Sequence, residues 1–401
     1  MERIGLETAV ELLLRHTERI SVWEEVSLWD AVGRVLAEDI TADKEQPPFA
    51  RSPLDGYAVR SADIIGACRE QPVCLTVIDE VTAGHVSEKK VREGTAIRIM
   101  TGAPIPDGAD CVVKQEDTDY GEEKVRIFQR VGVHQNYCFA GEDYKEGDVL
   151  LKKEKPLVPA AIGILASLGR ESVRVFRQAR AAVITTGDEV VLPGEPLLPG
   201  KIYDSNLFTL TARLRSLGVE VTDAGREEDD AAAVADRIRR ASVKADLIVT
   251  TGGVSVGKKD IMHEVLRRLS CKRLFWKIEI KPGMPTLAAV YNGRLLLCLS
   301  GNPYGAAVNL ELLARPVLFK MTGDEKFLIR RKRAVTRTSF PKKSPVTRYV
   351  RAFYKDGYVR QADGSNDSGV IGNLSQCNCL MEIPAGTKSV EAGESVWVTM
   401  L

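Results

Sequence analysis

Three short loops hold the residue types from which phosphate chemistry is built: Gly187-Asp188-Glu189, the run from Thr251 to Asp260, and Gly301-Asn302-Pro303. The middle run follows Leu247, Ile248 and Val249, an apolar stretch suited to a strand covered on both faces. Gly252, Gly253 and Gly257 let the backbone approach a ligand closely, with Thr251 and Ser255 supplying hydroxyls beside them. The helix expected to follow would offer free N–H groups to an anion. Asp260 and Glu189 are oxygen ligands of the kind Mg2+ takes beside phosphate. Asp229 could add another, although with Asp230 it suits a solvated helix N-terminus equally well. One glycine turn after a strand means little. Three in a single α/β unit, with acids among them, fit a Mg2+-bound phosphate ester.

Other candidates are weaker taken singly. Lys277 and Lys281 flank Ile278-Glu279-Ile280, and on a continuous strand both would project from one face. Two adjacent ammonium groups then call for an anion between them; an exposed basic strand face is the plainer alternative. Asp55 and Thr101 stand in turn-rich loops, where functional polar residues often sit, but an Asp before Gly is also an ordinary turn residue. Arg351 and Ser368 say nothing in isolation.

The elements that must position these groups can be read from periodicity. Apolar residues at helical spacing predict a helix over residues 5–19, and a second short helix is expected from Ser27. Between about 44 and 143 the texture is short strands and turns, with strands expected at Cys74, Thr95, Cys111 and Lys124. Pro159 at its first turn and Gly169 at its end bracket a further helix. From 178 to 326 strands alternate with helices, the mark of a mostly parallel sheet whose polar loops emerge at its carboxyl edge. Beyond 327, polar strands with hairpin turns predict a small β domain.

Composition bounds the rest. A chain of 401 residues is expected to hold about two to four domains. A net charge of +1 gives no global field for nucleic acid or an anionic membrane, so any anion must be held locally. No apolar run reaches the roughly 20 residues of a membrane span. The N-terminus does not read as a signal peptide. The eight cysteines contain no Cys-x-x-Cys pair, which disfavours zinc and favours free thiols in a reducing cytoplasm.

Taken together the strings resemble one family over essentially the whole chain: the molybdopterin molybdenumtransferases. The resemblance is carried by Pro47-Pro48-Phe49, Ser52 and Asp55-Gly56-Tyr57-Ala58, by Met100-Thr101-Gly102-Ala103-Pro104-Ile105-Pro106, and by Gly141-Glu142-Asp143. It continues through Thr186-Gly187-Asp188-Glu189, Asp246 to Asp260, Trp276-Lys277, Lys281-Pro282-Gly283 and Gly301-Asn302-Pro303. The Thr-Thr-Gly-Gly-Val-Ser-Val-Gly piece also occurs in molybdopterin adenylyltransferases and a competence-protein family, but those lack the flanking parts. The resemblance implies an elongated, multidomain α/β and β protein. Residues 1–43 plus 144–177 would form a dimerisation domain, and 44–143 an inserted β-rich domain. Residues 178–326 would be a three-layer α/β domain, and 327–401 a small β-barrel. It implies a cytoplasmic homodimer with the active site between protomers, working with a molybdopterin adenylyltransferase and molybdoenzyme maturation proteins.

The implied reaction takes adenylylated molybdopterin, molybdate and Mg2+, inserts molybdenum and releases AMP. An adenylyltransferase or a catalytically weakened scaffold of the same family are the alternatives. Glu189, Asp229 and Asp260 match positions near nucleotide and metal, and Lys277 and Lys281 match positions that neutralise phosphate and oxyanion. Thr251, Gly252, Gly253, Ser255, Gly257, Gly301, Asn302 and Pro303 match the substrate cradle. Asp55 and Thr101 match positions reaching in from the partner, and Arg351 and Ser368 positions on the barrel rim. Two departures stand out. The family commonly has Lys where Met284 stands and Ser where Gly305 stands, and both positions resemble oxyanion contacts. Lys258 or Arg351 are candidate replacements.

Overall fold

The computed structural model describes residues 3–254 and 261–401. Ser255, Gly257, Lys258 and Asp260 therefore lie outside the described residues. By its contacts the chain falls into two compact units, one of Met1–Glu38, Glu154–Pro159 and Ser172–Leu401, the other of Asp39–Lys153 and Ala160–Glu171.

In the larger unit a six-stranded sheet runs in the order Glu220–Glu227, Arg180–Thr186, Leu247–Thr251, Arg294–Leu299, Leu287–Tyr291, Lys272–Trp276. The first four strands are parallel, and the last two join by antiparallel pairing. Alternate residues of the central strands feed two separate cores, because successive side chains point to opposite faces. Val183, Val249 and Leu297 pack under Leu210 and Leu214 of the helix Ser205–Ser216 and under Val317 and Leu318 of the helix Arg315–Thr322. Ile184, Ile248 and Leu296 pack under Val234 and Ile238 of the helix Ala231–Ala241 and under Val265 of the helix Met262–Arg268. Helix, sheet and helix make three layers. Gly218, at φ +74°, follows the first of these helices, the left-handed position that favours glycine.

The same unit ends in a closed barrel. Thr347–Lys355, Tyr358–Gln361, Arg331–Thr336, Ser395–Met400 and Cys379–Ile383 pair in that order, and the last returns to the first. A two-residue strand, Ile280–Lys281, adds to Thr347–Arg348 in parallel and so stitches the α/β part to the barrel wall. The smaller unit holds a five-stranded sheet ordered Cys111–Lys114, Gly56–Val59, Thr95–Ile99, Val73–Val81, Lys124–Ile127; four of these strands fall where the sequence signals place them, while Gly56–Val59 follows a stretch whose turn residues read as loop. Outside these sheets, Trp23–Ser27 pairs with Ser172–Phe176, and Ile40–Thr41 with Val149–Leu151.

Two local expectations fail. Residues after Ser27 form only the single turn Leu28–Asp30, because the Ser27 hydroxyl accepts from Trp29 N at 3.3 Å and Gly33, at φ +77°, turns the chain away. The Lys277–Lys281 segment is not one strand. The strand Lys272–Trp276 ends before Lys277, which takes φ +67° while its carbonyl accepts from Ile4 N. The chain re-forms extended structure only at Ile280, where the barrel edge offers a new partner.

Candidate active site

The strand order reverses at Arg180–Thr186: the chain runs from it outward to Glu220–Glu227, then returns to Leu247–Thr251 on the other side. The carboxyl ends of those neighbouring strands diverge into loops, leaving a crevice of the kind in which open α/β sheets bind ligands. A cleft of about 720 Å3 occupies this place, lined by Thr186, Glu189, Asp229, Gly252, Ser300 and Asn302 among others. All three glycine loops therefore meet in one site, with the described part of the middle loop contributing Gly252 and Gly253.

Close packing explains the glycines. Gly252 has φ +97°, and a Cβ on it would stand 2.2 Å from the Thr186 carbonyl oxygen. Only glycine lets these two loops touch. Gly301 lies against Gly252 in turn, its own Cβ direction meeting Gly252 Cα at 3.5 Å. Asn206, at the start of the helix Ser205–Ser216, ties the arrangement together. Its amide donates to Thr251 Oγ1 and to the Gly301 carbonyl, both at 2.8 Å. Thr251 Oγ1 donates onward to the Ser300 carbonyl at 3.1 Å. Asp204 caps the same helix through Leu207 N at 2.9 Å and accepts from the Thr185 hydroxyl. Thr251 is thus a structural tie between loops as well as a wall residue.

Two features suit the cleft to a phosphate that carries a divalent cation. The buried Thr186 hydroxyl has no hydrogen-bond partner among the described residues, although it sits on the cleft wall. An orphaned buried hydroxyl carries a desolvation cost that a bound polar ligand removes. Glu189 and Asp229 bring two carboxylates, which suits an ion such as Mg2+ that takes one or two carboxylates and completes its shell with phosphate and water. No group of three His, Cys, Asp or Glu converges among the described residues to hold a metal unaided. Asp230 caps the helix Ala231–Ala241 through Ala232 N at 2.7 Å, so of the two neighbouring acids only Asp229 lines the cleft.

A second cleft of about 490 Å3 adjoins the first, sharing Pro285, Ser300, Asn302 and Gly369 with it. Lys281, Gly283, Met284 and Ser368 line it. The turn from Gly283 to Thr286 is clamped by buried Asn309, whose amide donates to the Gly283 carbonyl at 3.1 Å and to Thr286 Oγ1 at 2.5 Å. Ser368 is bound to the first cleft's third loop: its hydroxyl accepts from Asn302 Nδ2 at 3.1 Å and its carbonyl from Tyr304 N at 3.0 Å.

The remaining candidates are distributed otherwise. Lys277 lines neither cleft; its ammonium lies 4.0 Å from the centre of the Trp276 ring. The two lysines do not share a strand face. Arg351 is not an open rim cation. It is fully buried over the Tyr304 ring and donates to the carbonyls of Ser365, Asp367 and Val370 and to Asn373 Oδ1. Burial lowers its pKa and raises that of Tyr304. With its two terminal nitrogens spent on a loop and its side chain fully buried, Arg351 is not placed as a cleft cation. Asp55 and Thr101 pair with each other in the smaller unit, Thr101 donating its hydroxyl at 2.6 Å and its N–H at 2.7 Å to Asp55 Oδ1. Those bonds hold the Asp55 carboxyl below its ordinary range.

Comparison with known proteins decides the family. A molybdopterin molybdenumtransferase of Bacillus subtilis (strain 168) is 38% identical over 393 residues, covering 96% of this chain and 91% of the relative. The chain belongs to the molybdopterin molybdenumtransferase family. The description "MoeA N-terminal region (domain I and II)" matches residues 4–169, "Probable molybdopterin binding domain" residues 182–320, and "MoeA C-terminal region (domain IV)" residues 333–401. A molybdopterin molybdenumtransferase of Staphylococcus epidermidis is 35% identical, covering 99% of this chain and 95% of its own. The crystal structure of a molybdopterin biosynthesis MoeA protein from Pyrococcus horikoshii superposes with a TM-score of 0.87 at 31% identity, covering 100% of this chain and 99% of that one. No helix among the described residues is long and apolar enough to cross a membrane.

Motif reading of this molybdopterin molybdenumtransferase family member missed the residues that hold the loops rather than form them. Asn206 and Asn309 sit in helices, outside any glycine turn. Only the Asp204-Ser205-Asn206 start of a helix signalled the first, and nothing local signalled the second.

Proposed function

We propose that this chain inserts molybdenum from molybdate into adenylylated molybdopterin, with Mg2+-dependent release of AMP. The observation that carries the reading is the meeting of the three glycine loops at the strand-order reversal, with two carboxylates and an unpartnered threonine hydroxyl on the wall. The relatives' name, molybdopterin molybdenumtransferase, supports the same substrates. The nucleotide phosphate would lie against Gly252 and Gly253, where missing side chains leave backbone exposed, with the Thr186 hydroxyl in reach. Glu189 and Asp229, with Asp260, would hold Mg2+, which supplies charge neutralisation at the phosphate when bound. Molybdate would enter the adjoining cleft, where Lys281 offers a cation. A Glu or Asp beside a phosphate repels it unless a cation stands between them, so carboxylates in the first cleft and lysine in the second suit ester and oxyanion respectively.

The reading extends to a cytoplasmic homodimer. Asp55 and Thr101 of one protomer would complete the other's site. A molybdopterin adenylyltransferase would supply the ester, and maturation proteins would take the product. The Thr101 hydrogen bonds favour an ionised Asp55. The test supplies adenylylated molybdopterin, Mg2+ and molybdate to the purified protein and follows AMP. Molybdate-dependent AMP formation that is lost in Asp260→Ala is expected. AMP formation indifferent to molybdate, or ATP-dependent adenylyl transfer in its place, would defeat the proposal.

A further inference from the structure

We propose that the Ser300 hydroxyl is the hydrogen-bond donor that recognises the oxyanion at the junction of the two clefts, a role made possible by the bare backbone at Gly305. The assignment rests on the reading of the second cleft as an oxyanion site. Ser300 is one of four residues that line both clefts, and of those four only Ser300 and Asn302 carry a polar side chain. Asn302 is committed through its amide nitrogen to Ser368. Ser300 is only 5% exposed, so its hydroxyl is held in place rather than solvated. Its oxygen accepts from Asn302 N at 3.3 Å, while its proton has no acceptor among the described residues. A buried donor facing two clefts without an acceptor is a group awaiting an anion.

Position 305 explains why the hydroxyl can stand there. A Cβ on Gly305 would lie 3.1 Å from both Cβ and Oγ of Ser300, and 3.4 Å from Gly283 N. Gly305 has no positive φ that would demand glycine, so its missing side chain is a matter of space. Side chains at 300 and 305 compete for one volume beside the Gly283 turn. This chain fills that volume from position 300. The Gly283 N–H, close to the same spot, has no acceptor among the described residues either. Two free donors and the Lys281 ammonium then border the second cleft, a donor set that suits a tetrahedral dianion better than a neutral ligand.

The experiment measures equilibrium binding of molybdate, in the presence of saturating AMP, to the full-length wild type, Ser300→Ala and the double variant Ser300→Gly/Gly305→Ser. Loss of one donor to a charged acceptor predicts roughly 10- to 100-fold weaker molybdate binding by Ser300→Ala. The melting temperature is expected to remain at the wild-type value, and AMP affinity, since Ser300 also lines the first cleft, to change by far less than molybdate affinity. The double variant removes the competing side chain and returns a hydroxyl from the other side, and is expected to recover most of the lost affinity. Wild-type molybdate affinity in Ser300→Ala would overturn the assignment. So would an equal loss of AMP affinity, which marks a general disturbance of the loop. Absence of molybdate binding by the wild type would instead sink the reading of the cleft, and this assignment with it.

Discussion

Replacing Arg351 by methionine keeps most of its length and apolar volume and removes its donors. In the wild type the guanidinium holds the loop at Ser365, Asp367, Val370 and Asn373, with bonds of 3.2 Å to Ser365 O, 2.8 Å to Asp367 O and 2.7 Å to Asn373 Oδ1. A hydrogen bond from a charged donor contributes about 1.5–3 kcal/mol. Four such bonds do not add, because freed loop carbonyls turn to water and the contacts share one network. A local loss of about 3 kcal/mol is the reasonable expectation, equivalent to ~100-fold faster amide exchange by local opening. Hydrogen exchange read on peptides spanning 363–377 measures it, with the strand Thr95–Ile99 as internal control. Since Ser368, Gly369 and Ile371 of this loop line the clefts, AMP affinity is expected to fall alongside. Arg351→Lys should behave nearly as Arg351→Met, a compact ammonium being unable to span acceptors placed around a planar fork. Exchange within about twofold of wild type in both variants would refute the clamp.

Three further outcomes follow from the same geometry. Glu311 lies buried between half-buried Arg213 at 2.6 Å and buried Arg315 at 3.0 Å, so Glu311→Gln leaves the buried Arg315 charge without its carboxylate and should cost about 3 kcal/mol, read as a melting shift of roughly 6–12 °C; an unchanged melt contradicts it. Thr101→Ala removes the main cause of the lowered Asp55 pKa, so carbon-detected titration should find that carboxyl moved up towards the ordinary aspartate range. Because the folded value is depressed, the stability it contributes is present above the unfolded pKa and is lost as pH falls through the folded one; titration identical to wild type would show the bond is not made. A thiol reagent should label exposed Cys68 and Cys74 first in the native protein, and Cys111 and Cys379, both buried and pushed up to about 12, only after unfolding. Prompt labelling of the last two would mean their sheets open readily.

The sequence made some layers legible because their signals are local. Apolar runs such as Leu247–Val249 betray buried strands, and glycines after them betray close loops, so the sheet-edge site could be placed before any coordinates. Four strands of the five-stranded sheet and the barrel strands at Thr347, Cys379 and Ser395 were equally readable from alternation, whereas Gly56–Val59, short and preceded by turn residues, was not. The misses have a common cause. Whether Lys277 continues a strand depends on partners far away in sequence, Ile4 on one side and Thr347 on the other. Arg351 looks like any strand arginine until the loop that folds over it is known. Asn309 and Ser300 owe their importance to neighbours 26 and 5 positions away, Gly283 and Gly305. Side-chain periodicity carries no record of such meetings.

The two-residue strand Ile280–Lys281 has a consequence for anyone wishing to trim this protein. Its ladder partner, Thr347–Arg348, belongs to the barrel, so the α/β module does not end where its own helices do. Cutting the chain ahead of the barrel would strip a backbone ladder from the segment that carries Lys281 and take away Ser368 and Gly369 at the same stroke. A shortened version would keep its sheet yet lose half of the mouth it opens onto, and the seam, rather than either module, is the part that cannot be spared.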